Sequence, residues 1–417
     1  MPSFARITIN IALLVVCMLG VALSARSGLS RSFAETALAS NDVDSANEAV
    51  RLSPSDPEAL YVRGLVLTNA GESQAAIESL DSSIRLRPND YRAWQQLGRV
   101  SEQIGDVDNA LKAFTETTRL APYYAEPHLS LGRLLLKNSR TEEGFAELRL
   151  ASESDPSLLP DVIDLAWDSY KGDAENVQRV IQPQTDATRI LLSLFFIRHH
   201  EMKTALELLR ESGSAANHAR REITIQLIEE HRFSDAAAVS QVEATADPDS
   251  LLHDGDFEIR GIWDTAGFHW QSARSTNGMR IAIDDHNAHS GSRSLSITFN
   301  GATDTDAELA KNLFLVEPRT RYELTFASRV EELVSSALPI VKVVDASPAG
   351  PLLATSQPVV SGTSGWQTQT IEFTTTDHIE AAYISIQRQK CPEASCPILG
   401  RVWFDGFKVK KIDGPNH

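Results

Sequence analysis

The chain is poor in cysteine, with three in 417 residues, so it is not a disulfide-built scaffold. It lacks an excess of cations: 39 Lys and Arg against 56 Asp and Glu leave a net charge of -17. That balance argues against a protein that tracks phosphates along a nucleic acid, because such affinity comes mainly from cations meeting phosphates. There is no Gly-x-Ser-x-Gly nucleophile elbow, no phosphate-binding loop and no His-Glu-x-x-His zinc motif. Carboxylate pairs for glycoside cleavage come from distant positions, and no particular pair stands out here. A chain of this length exceeds one compact core and implies two or three domains.

What the sequence does have is a period. Pro54, Pro88, Pro122 and Pro156 fall 34 residues apart, and Gly64, Gly98 and Gly132 keep the same interval. Within each unit an apolar helical pattern such as Leu60, Gly64, Leu65 and Leu67 is followed by a break at Gly71 or Gly105, then a second pattern such as Ala76, Ile77, Leu80 and Ile84. Neither short helix buries its stripe alone, so successive hairpins must stack. With each proline at position 32, the glycines occupy position 8. Position 4 then holds Leu60, Trp94 and His128, position 20 holds Ala76, Ala110 and Gly144, and position 24 holds Leu80, Phe114 and Leu148, which are expected to pack between hairpins. This stretch resembles the tetratricopeptide repeat family. The resemblance implies a concave surface for a protein partner, lined by positions 2, 5, 9 and 12, which here include Tyr61, Arg92, Gln95, Arg99 and Arg133. Guanidinium groups stacked along that surface would suit an acidic segment, unless Glu58, Glu102 and Glu126 neutralise them.

Before the repeats, Ile7 to Ala25 is almost wholly apolar. Its 19 residues exceed the about 7–15 of a signal-peptide core and approach the ~20 that span a bilayer. Residues 1–31 are therefore read as an uncleaved anchor carrying Cys17 as a membrane-buried thiol, although Ala22-Leu23-Ser24 offers a cleavage site. Residues 32–156 form the repeats, headed by a degenerate hairpin, and residues 157–246 continue the solenoid with degenerate hairpins, about seven in all.

From Leu251 onward, alternation of period two replaces helical spacing, as in Leu295 to Phe299, Tyr322 to Phe326 and Thr368 to Phe373. Short strands separated by Gly, Ser, Asp and Pro imply an all-β sandwich over 247–417. The order of landmarks is Gly255-Asp256-Phe257-Glu258, then Gly267-Phe268-x-Trp270, His289-Ser290-Gly291-Ser292, Gly365-Trp366 and finally Val402-Trp403-Phe404-Asp405. In that order the segment resembles the galactose-binding-like jelly roll of carbohydrate-binding modules. The resemblance implies a structural calcium held by Asp256, Glu258 and Asp405, with main-chain oxygens near Ser292 and Arg293.

Sugar binding needs a flat aromatic face with hydrogen-bonding groups beside it. If Tyr322, Leu324 and Phe326 point into the core, Arg329 lies outside; if Ala382, Ile384 and Ile386 do, Tyr383 and Gln387 lie outside. Trp263 and Trp270, in the loop after the first strand, would supply the platform, with ordinary packing as the alternative for each. Trp366 and Trp403 align with positions that look structural in that family. Cys391 and Cys396 are expected to form a disulfide outside the cytoplasm, since a two-cysteine metal site has no nearby histidine. His199-His200 reads as a helix-end cap, and Asp284-Asp285-His286 as an exposed loop.

The sequence thus describes a multidomain α and β protein: an N-terminal anchor, an α-solenoid and a C-terminal jelly roll. The expected setting is a bacterial inner membrane, crossed once, with the bulk in the periplasm, or secretion after cleavage. The expected role is to tether proteins and glycan in exopolysaccharide or capsule assembly rather than to catalyse. A purely structural interaction subunit is the first alternative and a polysaccharide-modifying enzyme the second.

Overall fold

The computed structural model describes residues 2–240, 250–259, 267–301, 307–391 and 396–412. Among these residues fourteen α-helices precede ten β-strands. The chain divides into two compact units, Met1–Pro183 and Gln184–His417, so the last two helical hairpins share a unit with the strands.

The first unit holds five hairpins: α1 (Pro2–Ser40) with α2 (Val43–Leu52), α3 (Pro57–Asn69) with α4 (Ser73–Leu86), α5 (Tyr91–Gln103) with α6 (Val107–Leu120), α7 (Ala125–Lys137) with α8 (Thr141–Ser154), and α9 (Leu159–Ser169) with α10 (Ala174–Ile181). Local chemistry sets these boundaries. Asp56, Asp90 and Asp106 cap helix N-termini by accepting backbone amides. Each period-marking proline at 88, 122 and 156 directly follows a helix C-cap, where no further turn can form. Gly71 and Gly105 turn the hairpins at φ of 81° and 79°, a region that costs glycine nothing. Ser139, one period later, adopts the same region with a side chain.

Position 8 is glycine for steric reasons. A Cβ on Gly64 would lie 2.5 Å from Leu80 Cγ, one on Gly98 2.5 Å from Phe114 Cε1, and one on Gly132 2.9 Å from Leu148 Cγ. The large residue at position 24 therefore packs on the glycine of its own hairpin, where the sequence placed it only between hairpins. It also reaches the next one: Phe114 shares a core cluster with Leu131, Leu134 and Leu135. At position 4, Trp94 Nε1 donates to the Pro88 carbonyl at 2.9 Å, and the His128 ring makes the same bond to Pro122 at 3.0 Å. A histidine thus replaces tryptophan without losing the tie to the preceding turn.

Helix α1 runs without a break from the apolar segment into the first hairpin. Ser30 donates to the Ala49 carbonyl at 2.8 Å, and Ala34 and Ala37 pack on Ala46 and Ala49. Among the described residues this is the one helix long and apolar enough to cross a membrane.

The second unit begins with α11 (Asp186–Arg198), α12 (Met202–Glu211), α13 (Asn217–Glu229) and α14 (Phe233–Ser240). Ten strands follow: β1 (Gln271–Ser272), β2 (Met279–Asp284), β3 (Ser294–Gly301), β4 (Glu308–Leu315), β5 (Arg321–Val334), β6 (Pro339–Asp345), β7 (Leu352–Thr355), β8 (Gly362–Thr374), β9 (Ala381–Arg388) and β10 (Ile398–Lys411). They form two five-stranded antiparallel sheets, a first of order β1-β4-β9-β6-β7 and a second of order β2-β3-β10-β5-β8. One core joins their inner faces, with Phe314, Val341, Ile384 and Ile386 from the first meeting Leu295, Ile297, Phe326 and Phe404 from the second. Inside and outside alternate along β5 and β9 as the sequence pattern requires.

Candidate functional site

In the repeats, the predicted groove residues come together as a ladder of polar contacts between the first helices of successive hairpins. Arg92 on α5 pairs with Glu58 on α3 at 2.9 Å and with Asp90 at 2.8 Å, and lies 5.0 Å from the Tyr61 ring centre. Its hydrogen bonds to the carboxylates of Asp90 and then Glu58 hold its pKa further above the ordinary arginine value. Gln95 Nε2 donates to Ser130 on α7 at 2.7 Å, Arg99 pairs with Glu126, and Lys137 pairs with Glu102 at 3.3 Å. Arg133 is exposed and has no ion pair among the described residues. The run of free guanidinium groups is therefore replaced by paired ones, with Arg133 left open. The Arg92–Glu58, Arg99–Glu126 and Lys137–Glu102 pairs, with both partners well exposed, contribute about 0–1 kcal/mol each, so an incoming segment can exchange them at little cost. Asp90, by contrast, is 9% exposed and holds Arg92 in place.

In the sandwich, the four described residues among the five expected to hold a glycan do not converge. Trp263 lies outside the described residues. Trp270 is 1% exposed, packed against the rings of Phe257 and Phe407, with Nε1 donating to the Asp254 carbonyl at 2.9 Å. It is a core residue, and neither ring face is open to a ligand. Arg329 sits on β5 in the second sheet, whereas Tyr383 and Gln387 sit on β9 in the first, so they occupy opposite outer faces.

Around Tyr383 and Gln387 the first sheet carries a connected patch that the sequence reading missed in part. Lys342 on β6 donates to Gln387 Oε1 at 2.7 Å, Gln387 Nε2 donates to Ser385 Oγ at 2.8 Å, and Ser385 donates to Glu308 on β4 at 2.9 Å. Lys311 pairs with Glu308 at 2.8 Å and lies 5.2 Å from the Tyr383 ring centre. Burial raises the Tyr383 pKa, so its hydroxyl stays a neutral donor and acceptor. Register explains the grouping: Lys311, Ser385 and Lys342 are cross-strand neighbours. Lys342, a lone charge in Pro339-Ile-Val-Lys-Val-Val344, was the signal available in the sequence.

At the edge of the sandwich a cleft of about 200 Å³ is lined by residues including Asp254, Asp256, Glu258, Ser290 and Lys408. Here the carboxylates expected to hold calcium are occupied differently. Glu258 accepts the amides of Ser292 and Arg293 at 2.6 and 2.8 Å and the Ser292 hydroxyl at 2.7 Å. Asp405, fully buried, accepts the amides of His289 and Ser290 at 2.7 and 2.9 Å and that of Gly406 at 2.7 Å. The turn thus presents N–H donors where a hard cation needs oxygens, and Asp256 is exposed beside it. As placed, Asp256, Glu258 and Asp405 do not fit a calcium ion. For Glu258, burial acts to raise the pKa, but the Ser292 and Arg293 bonds outweigh it and hold the carboxylate below its ordinary range.

Cys391 and Cys396 are joined as a disulfide with Cα atoms 5.9 Å apart. Arg388, fully buried, donates to the Cys396 carbonyl at 2.7 Å. Cys17 is a free thiol on the exposed face of α1. Asp284, Asp285 and His286 bring three ligating atoms within 4.8 Å, yet Asp284 accepts Trp403 Nε1 at 2.7 Å and the His286 amide at 2.9 Å. Its lone pairs serve the loop and the indole.

Residues 32–91 and 95–158 match the tetratricopeptide repeat family, so this part of the helical region carries these repeats, modules of protein–protein contact. Among solved structures the chain is similar to MamA, 41-end, from Desulfovibrio magneticus RS-1, at 22% identity over 45% of this chain and 93% of that one, TM-score 0.30. It is also similar to PilF of Pseudomonas aeruginosa, at 14% identity over 46% and 90%, TM-score 0.33, and to a CBM4 structure, at 17% identity over 39% and 99%, TM-score 0.29. Likenesses at this level carry no functional argument. No curated protein matches the chain.

Proposed function

We propose that the chain is a membrane-anchored scaffold of the bacterial envelope, with its bulk in the periplasm, that holds a protein partner in the repeat groove and contacts glycan through its sandwich in exopolysaccharide or capsule assembly. The observation that carries the scaffold reading is the unbroken helix α1, whose apolar part continues into the packed first hairpin. An array built onto its own anchor is fixed to the membrane at one end. The Cys391–Cys396 disulfide favours an oxidising compartment.

We read the sandwich as a galactose-binding-like jelly roll whose glycan contact lies on the first sheet. Tyr383 offers a ring, and Lys311, Glu308, Gln387 and Lys342 offer donors and acceptors for hydroxyls. The test is binding of the detergent-solubilised full chain to a panel of bacterial polysaccharides, with Tyr383→Ala and Gln387→Ala variants. Saturable binding that both variants weaken supports the reading; binding indifferent to both removes the site from this face. A second reading, an interaction subunit without sugar binding, is favoured by the burial of Trp270, which leaves Tyr383 as the aromatic of the patch. Absence of binding to every polysaccharide by folded protein selects it.

A further inference from the structure

We propose that the outer face of the second sheet is a separate binding surface for a polysaccharide bearing carboxylate groups, held by Arg280, Arg329 and Arg401. The starting observation is how this acidic chain treats its arginines. Several in both units pair with carboxylates, among them Arg51 with Glu48, Arg92 with Asp90 and Glu58, Arg179 with Glu142, Arg319 with Asp377, and Arg321 with Glu372, while others such as Arg133 do not. On this face, Arg280, Arg329 and Arg401 have no ion pair among the described residues.

Their partners are neutral. Arg329 Nη1 donates to Asn287 Oδ1 at 2.9 Å, and Arg401 Nε donates to Thr298 Oγ1 at 3.0 Å. Both guanidinium groups lie over the Trp403 ring system, at 5.1 and 5.3 Å, and the indole beneath them is 1% exposed. An aromatic face favours a cation without cancelling its charge, and a neutral acceptor orients the fork without filling it. Each guanidinium keeps N–H donors for a bidentate carboxylate. Asn287 is itself oriented by Asp284, which accepts its Nδ2 at 3.1 Å while also accepting Trp403 Nε1. Of the acids on this face, Asp284 is turned inward in that way, Asp285 pairs with His286, Glu372 pairs with Arg321, and Glu323 stands opposite Lys410 in the strand register. Glu331 stands opposite Arg401 in the strand register but makes no ion pair with it.

Register sets the spacing of the cations and selects the ligand. Arg280 on β2, Thr298 on β3 and Arg401 on β10 are successive cross-strand neighbours, so the two arginines stand two strand spacings apart, about 10 Å. Trp403 and Arg329 form the adjacent row. Arg280 and Arg401 at that interval, with Arg329 beside Arg401 over the same indole, suit a chain that bears a carboxylate on its sugar units. A nucleic acid, with a charge about every 1.7 Å of helix axis, is disfavoured by the chain's net charge of -17. This surface is on the opposite side of the sandwich from Tyr383, so it stands or falls independently of the first-sheet patch.

The test uses the full chain in detergent and polygalacturonate as the probe, with dextran as the neutral control and a DNA oligomer as competitor, at low and physiological salt. The expected result is binding to polygalacturonate that weakens with salt. It should weaken about tenfold or more in the Arg280→Gln/Arg401→Gln double variant, stay largely intact in Arg280→Lys/Arg401→Lys, and be unaffected by Tyr383→Ala. Circular dichroism and melting of each variant separate lost charge from lost fold, and because Arg280 is exposed, Arg280→Gln alone keeps the test valid if the double variant unfolds. No binding to polygalacturonate at low salt, equal binding to dextran, equally effective competition by DNA, or full binding by the folded Gln variants would each overturn the proposal.

Discussion

Replacing Gly98 with alanine places a methyl group 2.5 Å from Phe114 Cε1 and 2.6 Å from Cδ1, so one of the two helices or the ring must move. On an exposed helix the same change stabilises by about 0.8–1.0 kcal/mol, because glycine costs the helix backbone entropy. Overpacking a tight contact costs about 1–3 kcal/mol. Phe114 is 1% exposed and confined by Leu131, Leu134 and Leu135 of the next hairpin, so the ring has nowhere to retreat and the upper part of that range applies. The net expectation is a loss of about 1–2 kcal/mol in α5 and α6. In a Phe114→Ala background the obstacle is gone, and the same Gly98→Ala change should become stabilising by about 0.5–1 kcal/mol. Native-state hydrogen exchange of the amides in these two helices reads both numbers locally, which a multidomain melt cannot. Stabilisation by Gly98→Ala in the parent protein, or an equal loss in both backgrounds, would refute the packing argument.

Three further outcomes follow from the sandwich. Trp270→Ala should cost about 3–5 kcal/mol and lower the melting temperature of the second unit, since it empties a buried site; a folded, unshifted variant with lost glycan binding would return Trp270 to the surface. Burial, followed by the neighbouring Asp256, raises Asp254 to about 6, against the pull of the amides it accepts. Its charged form is the disfavoured one, so its contribution to stability falls as pH rises from the ordinary carboxylate range through about 6. Asp254→Asn should therefore stabilise at neutral pH and have no effect below about pH 4, as checked by paired thermal melts; the opposite pH trend would refute it. Chelator should leave the sandwich's melting temperature unchanged, because amide donors already occupy Glu258 and Asp405. A rise of several degrees on adding calcium would show that the cradle reopens for a metal.

Much of the helical half was legible because its constraints are local and repeat. A proline stops each second helix, a glycine admits each position-24 side chain, and an aspartate caps several first turns, so identity at fixed spacing carries the geometry. The hairpins beyond Pro156 were legible from apolar spacing alone and appear as α9 to α14. The division between compact units is set by long-range packing, which leaves no periodic trace in the sequence. The groove pairs were half legible: Glu58, Glu102 and Glu126 were visible as acids near the arginines, but pairing Lys137 with Glu102 needed the stacking of one hairpin on the next.

For the sandwich, alternation along a strand separates inside from outside but does not say which of two outsides a residue faces. Along β5 and β9 the parity was read correctly, and Arg329, Tyr383 and Gln387 do point outward. Whether they meet depends on strand order, and β5 neighbours β10 and β8 while β9 neighbours β4 and β6. Strand order is fixed by the whole core at once, through contacts between residues as distant as Trp403 and Ser296. A single composite glycan site therefore resolves into two surfaces with different chemistry. One has a tyrosine among paired charges, suited to hydroxyls; the other has arginines held by neutral partners, suited to carboxylates. A polymer carrying both groups could engage both faces only by wrapping the sandwich edge or by bridging two copies of the protein. Affinity that rises with polymer length in the parent protein, but not when either face is disabled, would distinguish joint use of the faces from two independent sites.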